Sequence, residues 1–182
     1  MAGNTFTYQV LKDTTERAVI KLTGKFDGSG QEDNPNRIAA NSLYGALDAN
    51  NVPLHSALSV SNTAQSFYNL SIHRLWYDCV NAVNADVDIY WNANPTVSAL
   101  IVSGTYEYDG NSNWVTIPNA ANGAPGVTAC NGDIGIRTRG MQANSSYTII
   151  MEVRKDNAYY QRGQFNDPAA FNYGEYSLRP HG

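Results

Sequence analysis

Hydrophobic and polar residues alternate with a period of two through most of this chain, the signature of half-buried β-strands. In Tyr147 to Arg154, Tyr147, Ile149, Met151 and Val153 share one face while Thr148, Glu152 and Arg154 share the other, with Ile150 the exception. Thr5 to Leu11 places Phe6, Tyr8 and Val10 together, and Arg17 to Thr23 does the same with Ala18, Ile20 and Leu22. The polar segment from Lys12 to Glu16 between them predicts a hairpin. Phe67 to Asp78 aligns Leu70, Ile72 and Trp76, and Asp86 to Asn92 aligns Val87, Ile89 and Trp91. A predicted core follows: Ile20, Leu70, Ile72, Trp76, Ile89, Trp91, Ile149 and Met151.

Between these runs, Gly24 to Asn36 reads as a polar loop and Pro118 to Gly132 as a long stretch of low strand propensity. Ile38, Leu43 and Leu47 fit a short helix as well as a strand. Asn41, Ser42 and Gly45 disfavour the helix, so Arg37 to Leu47 is taken as a strand. Ser98 to Tyr108 is apolar and then aromatic, and the Asp109 to Asn113 segment before Trp114 reads as a hairpin loop. Short strands with closely spaced turns predict an all-β protein, an antiparallel β-sandwich or jelly roll spanning residues 1–156.

The last 26 residues lose this periodicity yet hold six of the chain's 20 aromatic residues. Disordered tails are poor in aromatics, whereas tyrosine and arginine anchor interfaces. Residues 157–182 are therefore expected to form an extended aromatic arm. Its interface candidates are Tyr159, Tyr160, Arg162, Phe165, Phe171, Tyr173, Tyr176 and Arg179.

Composition narrows the function classes. With 182 residues the chain is long enough for one domain that folds without a disulfide or metal. A net charge of −4, with no run of basic residues, argues against a nucleic-acid partner. No secretory leader and no apolar run of bilayer-spanning length are read, so a protein made and kept in the cytoplasm, with no membrane partner, is expected. Cys79 and Cys130 lack metal-binding spacing and are expected to be reduced thiols.

No catalytic or metal motif emerges. His55, His73 and His181 stand apart, with no HxH or HExxH spacing. His73 is expected on the face of Ser71, Leu75 and Tyr77, without a functional role. Asp86 and Asp88 share a strand face that is expected to be solvated rather than calcium-binding. Gly28-Ser29-Gly30 lacks the context of a nucleophile elbow, and Glu32/Asp33 and Glu107/Asp109 carry no glycosidase signature. The expectation is no enzymatic activity and no cofactor. Tyr106, Tyr108 and Trp114 around one hairpin are a candidate stacking platform for sugar rings, with cross-strand aromatic packing as the plainer alternative.

The succession AVIKLTGKFDG (from Ala18), RIAANSLYGAL (from Arg37), LSIHRLWYDC (from Leu70), DVDIYWNAN (from Asp86), PGVTACNGDIGIRTRG and SSYTIIMEVRKDN resembles the small virion structural proteins of tailed, cyanophage-like bacteriophages. The resemblance spans most of residues 5–157 and brings no catalytic residues. It implies a non-enzymatic head decoration or cement protein, made in the host bacterial cytoplasm and placed on the capsid surface. Its partners would be the major capsid protein and further copies of the chain, as a trimer or dimer. The alternatives are a carbohydrate- or receptor-binding tail module and a neck or connector protein.

Overall fold

The computed structural model describes residues 3–54, 63–80, 84–109 and 116–161. Among them are nine strands and no α-helix: β1 (Thr5–Asp13), β2 (Arg17–Lys25), β3 (Asp33–Ile38), β4 (Leu70–Val80), β5 (Asp86–Trp91), β6 (Val97–Val102), β7 (Thr105–Asp109), β8 (Ile134–Arg139) and β9 (Ser146–Lys155). They form two antiparallel sheets, ordered β1-β2-β9-β4-β7 and β3-β8-β5-β6. One hydrophobic core takes side chains from both, including Ile20, Leu22, Ile149 and Met151 from the first and Ile89, Trp91, Ile134 and Ile136 from the second. The protein is thus all-β and β-sandwich-like.

Hydrophobic burial follows the alternation. In β2, Ala18, Ile20 and Leu22 are sealed, and β9 opposes them directly with Val153, Met151 and Ile149. β1 and β2 form the expected hairpin. Seven of the eight predicted core residues are fully enclosed; Trp76 is not, being 38% exposed.

The cause is a bulge in β4. Pairing with β9 slips between Ile72 and Arg74, so the extra residue, His73, turns inward and the faces exchange beyond it. Leu70 and Ile72 face the core before the bulge, whereas Leu75 and Cys79 do so after it. Trp76 lands on the outer face beside Ile150 and Glu107, which also explains the odd apolar residue at position 150.

Other expectations require correction. The 24–36 loop is shorter, because β2 runs to Lys25 and β3 begins at Asp33. The expected strand from Arg37 to Leu47 ends at Ile38 and gives way to a 3-10 turn, Ala40–Ser42, with isolated bridges at Ala46 and Leu47. The 98–108 run divides at Gly104, whose φ of +70° turns the chain from β6 in one sheet to β7 in the other.

Residues 157–161 do not begin an arm. Tyr160 is wholly buried and donates its hydroxyl to Ala40 O at 2.8 Å, while Leu47 N and Gln161 N bond to Tyr159 O and Gly45 O. Tyr159 packs edge-on against Phe67. Periodicity ends at Lys155, but the body extends to Gln161.

The inverted faces of β4 predict that Leu75→Ala costs about 2–5 kcal/mol. Trp76→Ala should cost no more than about half as much, since much of its ring remains in water. Equilibrium urea denaturation measures both, and a larger loss at Trp76 would contradict the assigned register.

Candidate functional site

Among the described residues, charged and polar side chains gather in clusters inside or against the body, and four of these tie separate strands together. The first is built on Glu32, just before β3. Its backbone pairs with Thr138 of β8, N to Oγ1 at 2.8 Å and O from Thr138 N at 2.9 Å, which fixes the carboxylate between the sheets. There it accepts a hydrogen bond from the Tyr147 hydroxyl of β9. Arg37 Nε approaches Glu32 Oε1 at 3.1 Å as an ion pair whose alignment is not that of a hydrogen bond. Arg37 Nη2 donates to Thr7 O and Thr23 O at 2.8 and 3.1 Å, binding the β1–β2 hairpin to the same cluster.

Tyr147 lies across Gly24, its cross-strand neighbour, where any Cβ would collide with the ring. Burial raises the Glu32 carboxyl, while Tyr147 and Arg37 pull it down. Burial and the Glu32 charge together drive the Tyr147 phenol well above its ordinary value.

The second cluster repeats this plan on the outer face of the other sheet. Tyr90 of β5 lies across Gly135 of β8, again where a Cβ would collide with the ring, and donates to Asp33 Oδ1 at 2.7 Å. Arg137 stacks 4.7 Å above the Tyr90 ring and pairs with Asp33 at 3.4 Å. Asp88 accepts from Ser98 Oγ at 2.6 Å and Arg139 Nη2 at 3.0 Å, and Asp86 stands 3.9 Å from Arg139. The expected solvated face is corrected accordingly: Asp88 is buried beneath arginine side chains.

Lys155 forms the third cluster. Its side chain has no exposed surface, and Nζ donates to Asp13 Oδ1, Thr14 O at 2.6 Å and Tyr44 O at 2.8 Å beneath the Tyr160 ring. Burial pulls the lysine down, opposed by Asp13. Three oxygen acceptors match the three protons of an ammonium, so the charged form is the one this cage fits.

The fourth is His73 at the β4 bulge, buried on both sides. Arg154 Nη2 lies 3.0 Å from Nε2, and Thr116 Oγ1 lies 3.2 Å from Nδ1. A guanidinium only donates, so Nε2 accepts and the proton sits on Nδ1. His73 closes the bulge, and with Ile72 and His73 both buried there, the single face expected for Ser71, His73, Leu75 and Tyr77 is not continuous through it.

Of the sequence-derived site residues, Tyr106 is 64% exposed on β7 and Tyr108 packs partly against the core. Trp114 lies outside the described residues, as do His55, His181, Arg162, Phe165, Phe171, Tyr173, Tyr176 and Arg179. Tyr160 is corrected from interface candidate to core. Burial pushes the Cys79 thiol up to about 11, and Asp78 adds to the effect, so this thiol holds its proton at neutral pH. Among the described residues no group of three or more His, Cys, Asp or Glu side chains could hold a metal ion, and no helix is long and apolar enough to cross a membrane.

The clusters missed by the sequence reading share one property: every charged group in them meets a partner remote in the chain. The inner groups Glu32, Arg37, Asp88 and Lys155 are enclosed by these partners, while Asp33 and Arg139 remain half or more exposed. In comparisons with known proteins, the chain matches no family model, no curated sequence and no solved structure.

The raised Glu32 carboxyl predicts a pH dependence of definite sign. A carboxyl that holds its proton more tightly in the folded state contributes stability below the ordinary glutamate range and loses it as pH rises through the folded value. The stability of the wild type relative to Glu32→Gln should therefore fall as pH rises above the ordinary glutamate range of about 4, by denaturant titration at each pH. A relative stability that rises with pH there would contradict the assignment of burial as the dominant effect.

Proposed function

We propose that this chain is a non-enzymatic structural protein of a tailed-bacteriophage virion, a decoration or cement protein that binds the major capsid lattice at the capsid surface. The observation that carries the reading is the strand order. The order β2-β9-β4-β7 in one sheet and β3-β8-β5-β6 in the other, with β1 added at a margin, is consistent with the interleaved succession of a jelly roll, and supports our reading of the body as one. Jelly rolls recur in viral capsid and lectin domains. That is an analogy of fold, and the segment resemblance to virion proteins selects the first of the two.

The distribution of side chains favours assembly over chemistry. The charged clusters tie strands to one another, two of them through buried groups such as Glu32 and Lys155, and the large hydrophobic groups left in water stand on strands at or near the sheet margins. A clamp between capsid subunits needs a rigid body and apolar contact surface, and both are consistent with this arrangement. The reading includes association with further copies of the chain and no nucleic-acid or membrane partner. A second reading, a carbohydrate-binding tail module, is favoured by the exposure of Tyr106 beside Tyr108.

Electron microscopy of virions with the protein located by labelled antibody tests the proposal. The expected result is label over the whole head lattice. Label confined to the neck or tail would overturn the decoration role, and virions without label would overturn the virion assignment. A chain ending at Gln161 retains Tyr160 and should fold; if residues 162–182 carry the capsid contact, it fails to decorate heads. Full decoration by that shortened chain would place the contact on the body instead.

A further inference from the structure

Strand β1 is the margin of its sheet and is unlike the other margins. Of the eight large hydrophobic side chains exposed among the described residues, four are in β1: Phe6, Tyr8, Val10 and Leu11, between 36 and 48% exposed. The strand runs nine residues. Its stretch Thr5 to Leu11 contains no charge, proline or glycine, the features that natural sheets use to protect an edge.

Two of the three other margins carry such protection; the third, β6, is shorter than β1, at six residues. β3 has Pro35 and a register break between Asn34 and Ile38. β7 is five residues long and bears Glu107 and Asp109, both paired with Arg74. β6 is uncharged, but Val97, Ala99 and Leu100 pack partly against the core.

We propose that β1 is the contact between two copies of this chain, paired antiparallel across a twofold axis through Tyr8. The choice of occupant rests on self-complementarity. Phe6, Tyr8 and Val10 stand on the face of Gly24, Leu22 and Ile20, and Thr7 and Gln9 stand on the face of Thr23 and Lys21. Turned on itself about Tyr8, the strand sets Phe6 against the partner copy's Val10, Thr7 against its Gln9 and Tyr8 against its Tyr8. Each residue then meets one of its own polarity, and no like charges oppose. The bulge between Val10 and Lys12 ends the paired run before the charged residues. An uncharged edge gives a strand of foreign, charged sequence no ion pair to recognise, whereas a second β1 matches at every position from Phe6 to Val10. The pairing joins two five-stranded sheets into one of ten and closes as an isologous dimer.

The inference specifies the self-association in the proposed function but does not depend on capsid binding, and its test uses the isolated full-length protein. Light scattering after size exclusion, across a concentration series, should show a dimer. Tyr8→Lys places two ammonium groups opposite each other on the axis and should weaken the dimer at least about tenfold, whereas Tyr8→Phe should leave it intact. In a Cys130→Ser background, Tyr8→Cys should form an intermolecular disulfide under mild oxidation, because paired Cα atoms on the axis lie about 4.5–5.5 Å apart. Leu11→Cys should not, because its two copies would stand about 20 Å apart.

A monomer at all concentrations would overturn the proposal. So would a dimer in which Tyr8→Cys fails to cross-link, or one that cross-links equally through Leu11→Cys. Open polymers would point to pairing of β1 with β6 and would overturn it as well. Should Tyr8→Lys fail to fold, the two cysteine variants still decide between these outcomes.

Discussion

The structure depends on two adjacent carboxylates, Glu32 and Asp33, that face opposite ways. Consecutive residues of an extended chain project to opposite faces, and here each face meets a tyrosine from a different sheet. Glu32 turns inward to Tyr147 of β9, and Asp33 turns outward to Tyr90 of β5. One peptide step thereby fastens the margin of the second sheet to the middle of both. Arginines complete the two halves, Arg37 reaching back to the β1–β2 hairpin and Arg137 covering Tyr90. The tyrosines can lie flat only because Gly24 and Gly135 stand beneath them. Such glycines cost strand propensity, which the ring above each one offsets by covering the bare backbone.

This arrangement bears on function through rigidity. An apolar sandwich core sets the distance between sheets but discriminates weakly between small displacements of one sheet over the other. A buried charged hydrogen bond is directional, and an unmet partner costs several kcal/mol. Lys155 applies the same constraint at the far end of β9, where its ammonium joins the β1–β2 turn to the segment around Tyr44. The polar interior therefore fixes one alignment of strands, and holds the strand surfaces rigidly in place.

How far this is legible in the sequence depends on how far apart the interacting residues are. Burial of Ile20, Ile89, Trp91, Ile149 and Met151 follows from local alternation, which a reader of the chain can count. Trp76 fails because a single inserted residue at His73 inverts the count, and nothing in LSIHRLWYDC distinguishes a bulge from a continuous strand. Gly24 reads as the start of a loop because glycine is a poor strand former, and its purpose becomes visible only with Tyr147 above it. Glu32 and Asp33 look like any acidic pair in a polar segment; their tyrosines lie 115 and 57 residues further along. Tyr160 falls to an arm on periodicity alone, although burial needs only a pocket, which the 40–47 segment supplies.

The most direct test of this account is a double-mutant cycle between Glu32→Ala and Tyr147→Phe, each variant measured by equilibrium denaturation. Contact through a buried, charge-assisted hydrogen bond predicts a coupling of about 1–3 kcal/mol, with the two losses far from additive. Additive losses, within about 0.5 kcal/mol, would mean that the inward half of the Glu32–Asp33 tie contributes nothing to holding the sheets and would contradict the account.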